Sequence, residues 1–300
     1  MNVDILIVGA DPAGSSAALV LARSRRSVLL CDDGHPRNAA SQAIHGLLTH
    51  EGQSPADFKH AIEKALRPYE TITRVAERVT SLSGKDGHFK FQTSFGTDGH
   101  ARKVLLATGV VDRLPDIPNV HTYYGKSVHH CLYCDGYEYR EQRLAAYGDP
   151  KKGSELARVM RLWSRDIVLC TDGKKLDRAE RDKLTGHGIA FKEARIASLD
   201  GQEGMLERIR FHDGTFTDCK AMFFSTGSKP GSDLGQQLGC ECDSKGGLAV
   251  SDSCETSVSG VFVAGDASRD VLQIAVAMGE GSRAAVEINK ALLRAEGLCD

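Results

Sequence analysis

The sequence predicts an α/β fold that contains two similar strand–helix–strand motifs, the second inserted in the domain that the first begins. An apolar, β-branched run, Val3–Val8, leads into a glycine-rich turn and then into a helical pattern. A looser copy of this arrangement begins at Leu144. The end of the chain supplies one strand (260–265) and one long helix (Ile274–Leu293), too little for a domain of its own. We therefore expect this tail to complete the first domain.

The first motif places its four elements within about 30 residues. Its strand is followed by a turn from Gly9 to Gly14, a helix over Ser15–Arg25 and a second strand over Ser27–Cys31. Parallel strands joined by a helix form a right-handed crossover. The pattern therefore predicts a parallel sheet.

The second motif repeats this order in the middle of the chain. Strands over Leu144–Tyr147 and Ile167–Cys170 flank a turn, Gly148–Gly153, and a helix, Ser154–Trp163. Both motifs are of the Rossmann-like, dinucleotide-binding type.

Two linkers divide the predicted domains. The first follows VLLATG (104–109) and contains two prolines. We expect residues 1–116 and 247–300 to form one domain, and residues 117–246 to form the inserted one.

Composition excludes several classes of protein. Hydrophobic residues make up 41% and charged residues 26%, as in soluble globular chains. The 38 basic and 40 acidic residues give a net charge of −2, which offers no basis for binding nucleic acid or an anionic membrane. No apolar run is long enough to span a membrane, and the first residues lack the features of a secretory signal. We therefore expect a cytoplasmic protein in which most of the nine cysteines are free thiols.

The first turn has the features of a pyrophosphate site. Gly9 and Gly14 lie at the two ends of the turn, and Pro12 and Ala13 lie between them. The glycines let the backbone approach a phosphate at a helix N-terminus. An acidic residue about 20 positions later binds ribose hydroxyls, and Asp32 and Asp33 end the second strand. The pattern predicts a dinucleotide here, although a strand–turn–helix without a ligand is an alternative.

Asp11 departs from this pattern, which has glycine at the third position of the turn. An aspartate adds a side chain and a negative charge where the pyrophosphate approaches. Either Asp11 points away and is tolerated, with weaker affinity, or the site is impaired. We expect tolerance, because the other elements are complete.

HHCLYCDG (129–136) places Cys131 and Cys134 two residues apart. Such a pair can form an exchangeable disulfide in which one thiol has a depressed pKa. A structural zinc site needs four ligands, and the only other close pair, Cys240 and Cys242, is distant and irregular. Plain structural thiols are the remaining alternative. We expect no metal and a redox pair.

Together the motifs resemble the low-molecular-weight thioredoxin reductases, which are FAD-dependent (pyridine nucleotide-)disulfide oxidoreductases. GADPAG (9–14), LLATG (105–109), CLYCDG (131–136), FSTG (224–227) and GVFVAGDAS (260–268) occur in that family's order. The resemblance covers nearly the whole chain. Related dithiol oxidases, which close disulfides in small natural products, share the scaffold and a CxxC.

The resemblance implies a bound FAD. Asp266 would hold the ribityl chain, and the helix after Gln273 would direct its N-terminus at the isoalloxazine ring. The expected cofactor-binding residues are Gly9, Asp11, Pro12, Ala13, Gly14, Asp32, Asp33, Ala107, Thr108, Gly109, Gly265, Asp266, Gln273 and Ile274.

The resemblance also implies roles at the cysteine pair. Cys134 would face the flavin, Cys131 would exchange with substrate, and Asp135 would be the general acid–base that serves their thiolates. The two histidines before Cys131 either tune the thiolate charge or form a solvent-facing pair. The expected partner is a thioredoxin-like protein or a small-molecule dithiol or disulfide, and the expected assembly is a homodimer.

The second turn, GDPKKG (148–153), departs furthest from the family. Pro150 replaces the middle glycine and has no N–H to donate to a phosphate. Asp172 favours a ribose diol and would repel a 2′-phosphate, whereas Lys174 and Lys175 follow it. Three donors remain open: NADPH or NADH, ferredoxin, or the dithiol itself with electrons passing to oxygen. A flavin-binding redox sensor without turnover is the non-enzymatic alternative.

Overall fold

The computed structural model describes residues 1–244, 246–268 and 271–300. By its internal contacts the chain divides into two units. The first unit comprises 1–37, 56–111 and 229–300, and the second comprises 38–55 and 112–228. Each is described separately.

The first unit contains one mixed sheet with helices. Its elements are β1 (Asn2–Val8), α1 (Pro12–Arg23), β2 (Val28–Cys31), α2 (Pro55–Leu66), β3 (Ile72–Val75), β4 (Val79–Lys85), β5 (His88–Thr93), β6 (Asp98–Leu106), β7 (Val110–Asp112), β16 (Ser228–Pro230), α7 (Leu234–Gln237), β17 (Val261–Val263) and α8 (Ile274–Ala295). β7 and β16 span two of the points, at residues 111–112 and 228–229, where the chain passes from one unit to the other. They pair with each other as a separate two-stranded ribbon.

The sheet of the first unit has the order β3-β2-β1-β6-β5-β4. β1 pairs in parallel with β2 and β6, and the last part of β6 pairs in parallel with β17. β4 and β5 form an antiparallel hairpin on the first part of β6. The parallel sheet predicted for the first motif is confirmed.

Both faces of β1 are covered, which explains its continuous apolar run. Ile5 and Ile7 point into a core shared with α1 and α8, and Leu6 and Val8 point into a second core on the opposite face. The turn that follows β1 is therefore held between two buried layers.

The second unit contains a parallel sheet and an antiparallel one. Its elements are α3 (Val120–Tyr123), β8 (Val128–His129), α4 (Leu132–Asp135), β9 (Leu144–Tyr147), α5 (Pro150–Val159), β10 (Ile167–Cys170), α6 (Arg178–Gly186), β11 (Ala190–Lys192), β12 (Ile196–Gln202), β13 (Met205–Phe211), β14 (Phe216–Asp218) and β15 (Ala221–Phe224). The parallel sheet has the order β11-β10-β9-β15-β8, and β12-β13-β14 form the antiparallel sheet.

Two helix starts differ from the prediction. α1 begins at Pro12 instead of Ser15, and α5 begins at Pro150 instead of Ser154. In both helices proline occupies the first helical position, where its missing N–H has no intrahelical partner to lose. Each turn is therefore shorter than its glycine pattern indicated.

The boundaries between the units also differ from the predicted linkers. The chain returns to the first unit at residue 229, earlier than the predicted 247, and the segment 38–55 belongs to the second unit. The cofactor assigned to each predicted domain stays a prediction. In the described parts of the chain, no helix is both long and apolar enough to cross a bilayer.

Candidate active site

The first turn, Gly9–Gly14, depends on two glycines. Gly9 has φ +102°, and a Cβ on it would lie 2.2 Å from the carbonyl oxygen of Ala107. A Cβ on Gly14 would lie 1.8 Å from the carbonyl oxygen of Gly9. Only glycine fits these positions, and the turn consequently lies against the Ala107–Gly109 turn.

The tail of the chain joins the same place. Gly265 has φ +73°, and a Cβ on it would lie 2.9 Å from the Cβ of Ala13. A Cβ on Gly281 of α8 would lie 2.0 Å from the carbonyl oxygen of Ala13. The three segments predicted to bind FAD therefore converge at the carboxyl ends of β1, β6 and β17, where open α/β sheets bind ligands.

The start of α1 carries no side-chain cap. Asp11 is the N-cap residue, with extended backbone, but its carboxylate accepts no hydrogen bond from the first turn of the helix. Its carbonyl oxygen accepts from the N–H of Ser15 (3.0 Å). The N–H groups of Ala13 and Gly14 therefore make no hydrogen bond to the Asp11 carboxylate and can donate to a bound anion.

Carboxylates and cations surround this helix start. Lys59 Nζ binds Asp32 Oδ2 (3.0 Å), Arg78 Nε binds Asp33 Oδ2 (3.0 Å), and Arg37 binds Asp266 Oδ2 (2.7 Å). Burial, and next the charge of Asp32, raise the pKa of Asp11 to about 6. Arg37 and Lys59 were not predicted from the sequence, because their positions beside these carboxylates depend on long-range contacts and not on a local pattern.

The remaining predicted cofactor residues lie at two further positions. Ala107 is buried and donates its N–H to Val8 O (2.9 Å), Thr108 follows it, and Gly109 has φ +60°. Gln273 is the N-cap residue of α8 and makes no side-chain cap, so Ile274 begins a helix whose start is also uncapped.

In the second unit, Cys131 and Cys134 form a disulfide at α4. Cys131 is the N-cap residue of that short helix, and its Sγ accepts a hydrogen bond from the N–H of Cys134 (3.1 Å). This N–H would also stabilise a thiolate on Cys131 in the reduced pair. Cys240 is buried and Cys242 is exposed, both as free thiols.

A buried histidine lies beside the disulfide. His129 is 4% exposed, and its Nδ1 lies 3.3 Å from Asp135 Oδ1. Its Nε2 lies 3.2 Å from the carbonyl oxygen of Lys126, and its ring stacks on Phe223. Of the two hypotheses for the histidines, the solvent-facing one is wrong for His129.

His130 belongs to a different group of side chains. Its Nδ1 lies 3.6 Å from Asp112 Oδ2 and 3.4 Å from the hydroxyl of Tyr124, which itself donates to Asp112 Oδ2 (2.9 Å). The cysteine pair is therefore preceded by two histidines, each beside an aspartate.

The second turn differs from the first at its helix start. Asp149 is the N-cap residue of α5, and its Oδ1 accepts hydrogen bonds from the N–H groups of Lys151 (3.1 Å) and Lys152 (2.9 Å). Pro150 has no N–H. The donors that a pyrophosphate would use at this helix start are therefore absent or already bound by the protein's own carboxylate.

Asp172, expected to bind a ribose, is also engaged. Its Oδ1 accepts from the N–H of Ile196 (2.7 Å), and its Oδ2 accepts from the hydroxyl of Tyr147 (3.3 Å). Burial, and next the charge of Asp172, raise the pKa of Tyr147 to about 12. The hydroxyl consequently stays a donor to Asp172 at physiological pH.

The chain matches a known protein family over most of its length. Residues 3–281 match the family described as pyridine nucleotide-disulphide oxidoreductase. The chain is 32% identical over 276 residues to the thioredoxin reductase tcpT of Claviceps purpurea, covering 88% of this chain and 86% of that protein.

Solved structures give the same result. The structure of HlmI matches with a TM-score of 0.93 and 31% identity, covering 99% of this chain and 94% of that one. An oxidoreductase from Agrobacterium tumefaciens matches with a TM-score of 0.90 and 28% identity, covering 98% and 99%. The fold and the resemblance predicted from sequence are confirmed. The chain therefore belongs to the pyridine nucleotide-disulphide oxidoreductase family, as a thioredoxin reductase-like enzyme that acts on disulfides.

Proposed function

We propose that the protein uses FAD to move two electrons between the Cys131–Cys134 pair and a dithiol or disulfide substrate. The observation that carries this proposal is the disulfide itself, with Asp135 and buried His129 beside it. A pair closed over two intervening residues exchanges readily with other thiols.

The first unit offers a site that fits FAD. The N–H groups of Ala13 and Gly14 at the start of α1 would hold the pyrophosphate, and Asp32 would bind ribose hydroxyls. Asp266 and the uncapped start of α8 would hold the flavin half. Bound FAD would supply a second two-electron carrier, in addition to the Cys131–Cys134 pair.

Exchange with the substrate is assigned to Cys131. Its Sγ accepts the N–H of Cys134, and this hydrogen bond favours the thiolate form. In the reducing direction, the Cys131 thiolate attacks a substrate disulfide and releases one substrate thiolate. Cys134 then attacks Cys131, so that the Cys131–Cys134 disulfide reforms and the second substrate thiolate leaves.

Asp135 is proposed to move the protons of this exchange. Each departing thiolate needs a proton, and the reverse reaction needs a base at the same position. The contact between His129 Nδ1 and Asp135 Oδ1 (3.3 Å) holds the carboxyl group of Asp135 in place next to Cys134. By resemblance to the family, Cys134 is assigned to the cofactor side of the pair.

The first candidate for the electron donor is NADPH or NADH, which the family description names as a class. A second candidate function, oxidation of a dithiol without a pyridine nucleotide, is favoured by the start of α5. There Asp149 binds the N–H groups that a pyrophosphate would need, and Asp172 is bound to Ile196 and Tyr147. In that reaction a dithiol loses two electrons and two protons to form a disulfide, and oxygen is reduced to hydrogen peroxide.

One experiment separates these candidates. The purified protein is mixed under argon with NADH, NADPH or dithiothreitol, and the visible flavin absorption is followed. Bleaching by a nicotinamide supports the reductase. Bleaching by the dithiol alone, with peroxide formed in air, supports the oxidase. Reduced ferredoxin is tested in the same way. If none of these donors bleaches the flavin, the protein is not an enzyme of this kind.

Three further features are part of the proposal. The partner is a thioredoxin-like protein or a small-molecule dithiol or disulfide, the compartment is the cytoplasm, and the assembly is a homodimer. Light scattering during gel filtration tests the assembly, because a mass near 32.4 kDa would show a monomer.

A further inference from the structure

The two Asp-Pro helix starts of this chain have opposite arrangements. At α5, Asp149 caps its own helix by accepting from two N–H groups. At α1, Asp11 has the same N-cap position, also before a proline, and makes no such bond. The carboxylate of Asp11 thus gains no stabilising hydrogen bond from the helix whose first turn the proposed pyrophosphate would use.

The surroundings of Asp11 disfavour its negative charge. It is partly buried, and burial is the largest cause that raises its pKa to about 6. Asp32 and Asp33 at the end of β2, and Asp266 after β17, add repulsion, whereas Lys59 of α2 opposes it. Lys59 is bound to Asp32, and Arg37 is bound to Asp266.

We propose that Asp11 makes retention of FAD dependent on a proton, so that the protein holds the cofactor with this carboxyl group neutral. The inference depends on the FAD site of the proposed function. A pyrophosphate at the start of α1 adds negative charge next to Asp11, and an ionised carboxylate there repels it. A neutral carboxyl group removes that repulsion and can donate one hydrogen bond to a phosphate oxygen.

The direction of the pH dependence follows from linkage. Below about pH 6 Asp11 is already neutral, so binding of FAD takes up no proton at this group. Above that pH, binding requires a proton, and affinity falls by up to about tenfold for each pH unit. The fall ends at the pKa that Asp11 has with FAD bound.

Other groups near Asp11 titrate or carry charge and must be separated from it. They are Asp32, Asp33, Asp266, Lys59, Arg37, His35 beside Asp33, and Glu280 of α8, which accepts the N–H of Gly265 (2.7 Å). Asp11→Asn removes only the titration of Asp11. The difference in pH dependence of FAD affinity between this variant and the wild type therefore gives the contribution of Asp11 alone.

The test measures FAD dissociation from the full-length holoprotein. Wild-type protein is equilibrated at about pH 5.5 and about pH 8 at one ionic strength, and free FAD is quantified after ultrafiltration. We expect affinity at the higher pH to be weaker by about fivefold or more. Asp11→Asn should bind equally at both pH values and more tightly than wild type at the higher one. Asp149→Asn, the matched change at the other Asp-Pro start, should keep the wild-type pH dependence.

Two results would overturn the proposal. Equal wild-type affinity at both pH values does so, as does an unchanged pH dependence in Asp11→Asn, and either leaves the FAD site itself standing. If wild type, Asp11→Asn and Asp11→Gly all fail to hold FAD at either pH, the FAD assignment fails as well. Asp11→Gly restores the residue of the usual turn pattern and gives a second variant should the asparagine protein not fold.

Discussion

At a helix start, a single aspartate side chain determines whether the first N–H groups of the helix can bind a ligand, as Asp11 and Asp149 show. Both precede a proline, and both are N-cap residues with extended backbone. Asp149 accepts hydrogen bonds from two N–H groups of α5 that a phosphate would otherwise bind. Asp11 accepts none from the first turn of α1, and burial disfavours the ionised form of its carboxyl group. One start is therefore suited to a ligand, and the other is closed by the protein.

Asp11→Asn should stabilise the FAD-free protein at neutral pH. The folded state raises the pKa of Asp11 from 3.8 to about 6, so it binds a proton more tightly than the unfolded chain. Stability is therefore lost as pH rises from about 4 to about 6, by on the order of 3 kcal/mol. Urea unfolding should show this gain for the variant at pH 7.5, and little gain near pH 4. An equal gain at both pH values would contradict the assignment.

Asp135→Asn should slow thiol–disulfide exchange without removing the disulfide. Loss of a general acid–base typically lowers a rate by about a hundredfold or more. The measurement is reduction of Cys131–Cys134 by dithiothreitol, quenched with a thiol-alkylating reagent. The neighbouring change Glu138→Gln should leave the rate near that of wild type. An Asp135→Asn protein that exchanges at the wild-type rate would show that this carboxyl group moves no proton.

At the residue scale the sequence predicted which residues form the cysteine pair, but not which side chains pack around it. Cys131, Cys134 and Asp135 follow from the CxxCDG spacing and the family resemblance. The burial of His129 against Phe223 and its pairing with Asp135 depend on β8 and β15 lying side by side. Single-residue patterns contain no information about that contact.

At the scale of elements, the strands were more predictable than the helix starts. β9 and β10 have the predicted bounds, because short buried runs end at clear turn residues. α5 begins four residues early, since Asp149 and Pro150 together form a stronger start signal than the glycines around them. The hairpin β4–β5 and the sheet β12–β14 were not predicted, although β5 alternates regularly between exposed and buried side chains.

Gly14→Ala tests the close packing of the first turn. The added Cβ would lie 1.8 Å from the carbonyl oxygen of Gly9, so the backbone must move. We expect loss of FAD from the purified protein and a marked fall in its melting temperature. Gly279→Ala is the control, because a Cβ there in α8 meets nothing within 4 Å. That change should be neutral or stabilising, since alanine favours a helix. Normal FAD content in Gly14→Ala would contradict the packing argument.

At the scale of the whole molecule, the family was predictable because its motifs are local and occur in order. The division of the chain was less so. Residues 38–55 follow β2 in sequence yet belong to the unit that carries the cysteines, where a Cβ on Gly125 would lie 2.3 Å from the carbonyl oxygen of Ala40. This assignment depends on tertiary contacts, which no periodicity indicates.

The central claim is that one FAD and the Cys131–Cys134 disulfide form a single redox system, and an anaerobic reductive titration tests it most directly. Two centres that each accept two electrons require about two equivalents of a two-electron reductant per FAD. We predict about two equivalents for wild type and about one for Cys131→Ser and Cys134→Ser. Wild-type protein that is fully reduced by one equivalent, with free thiols unchanged at the end, would contradict the account.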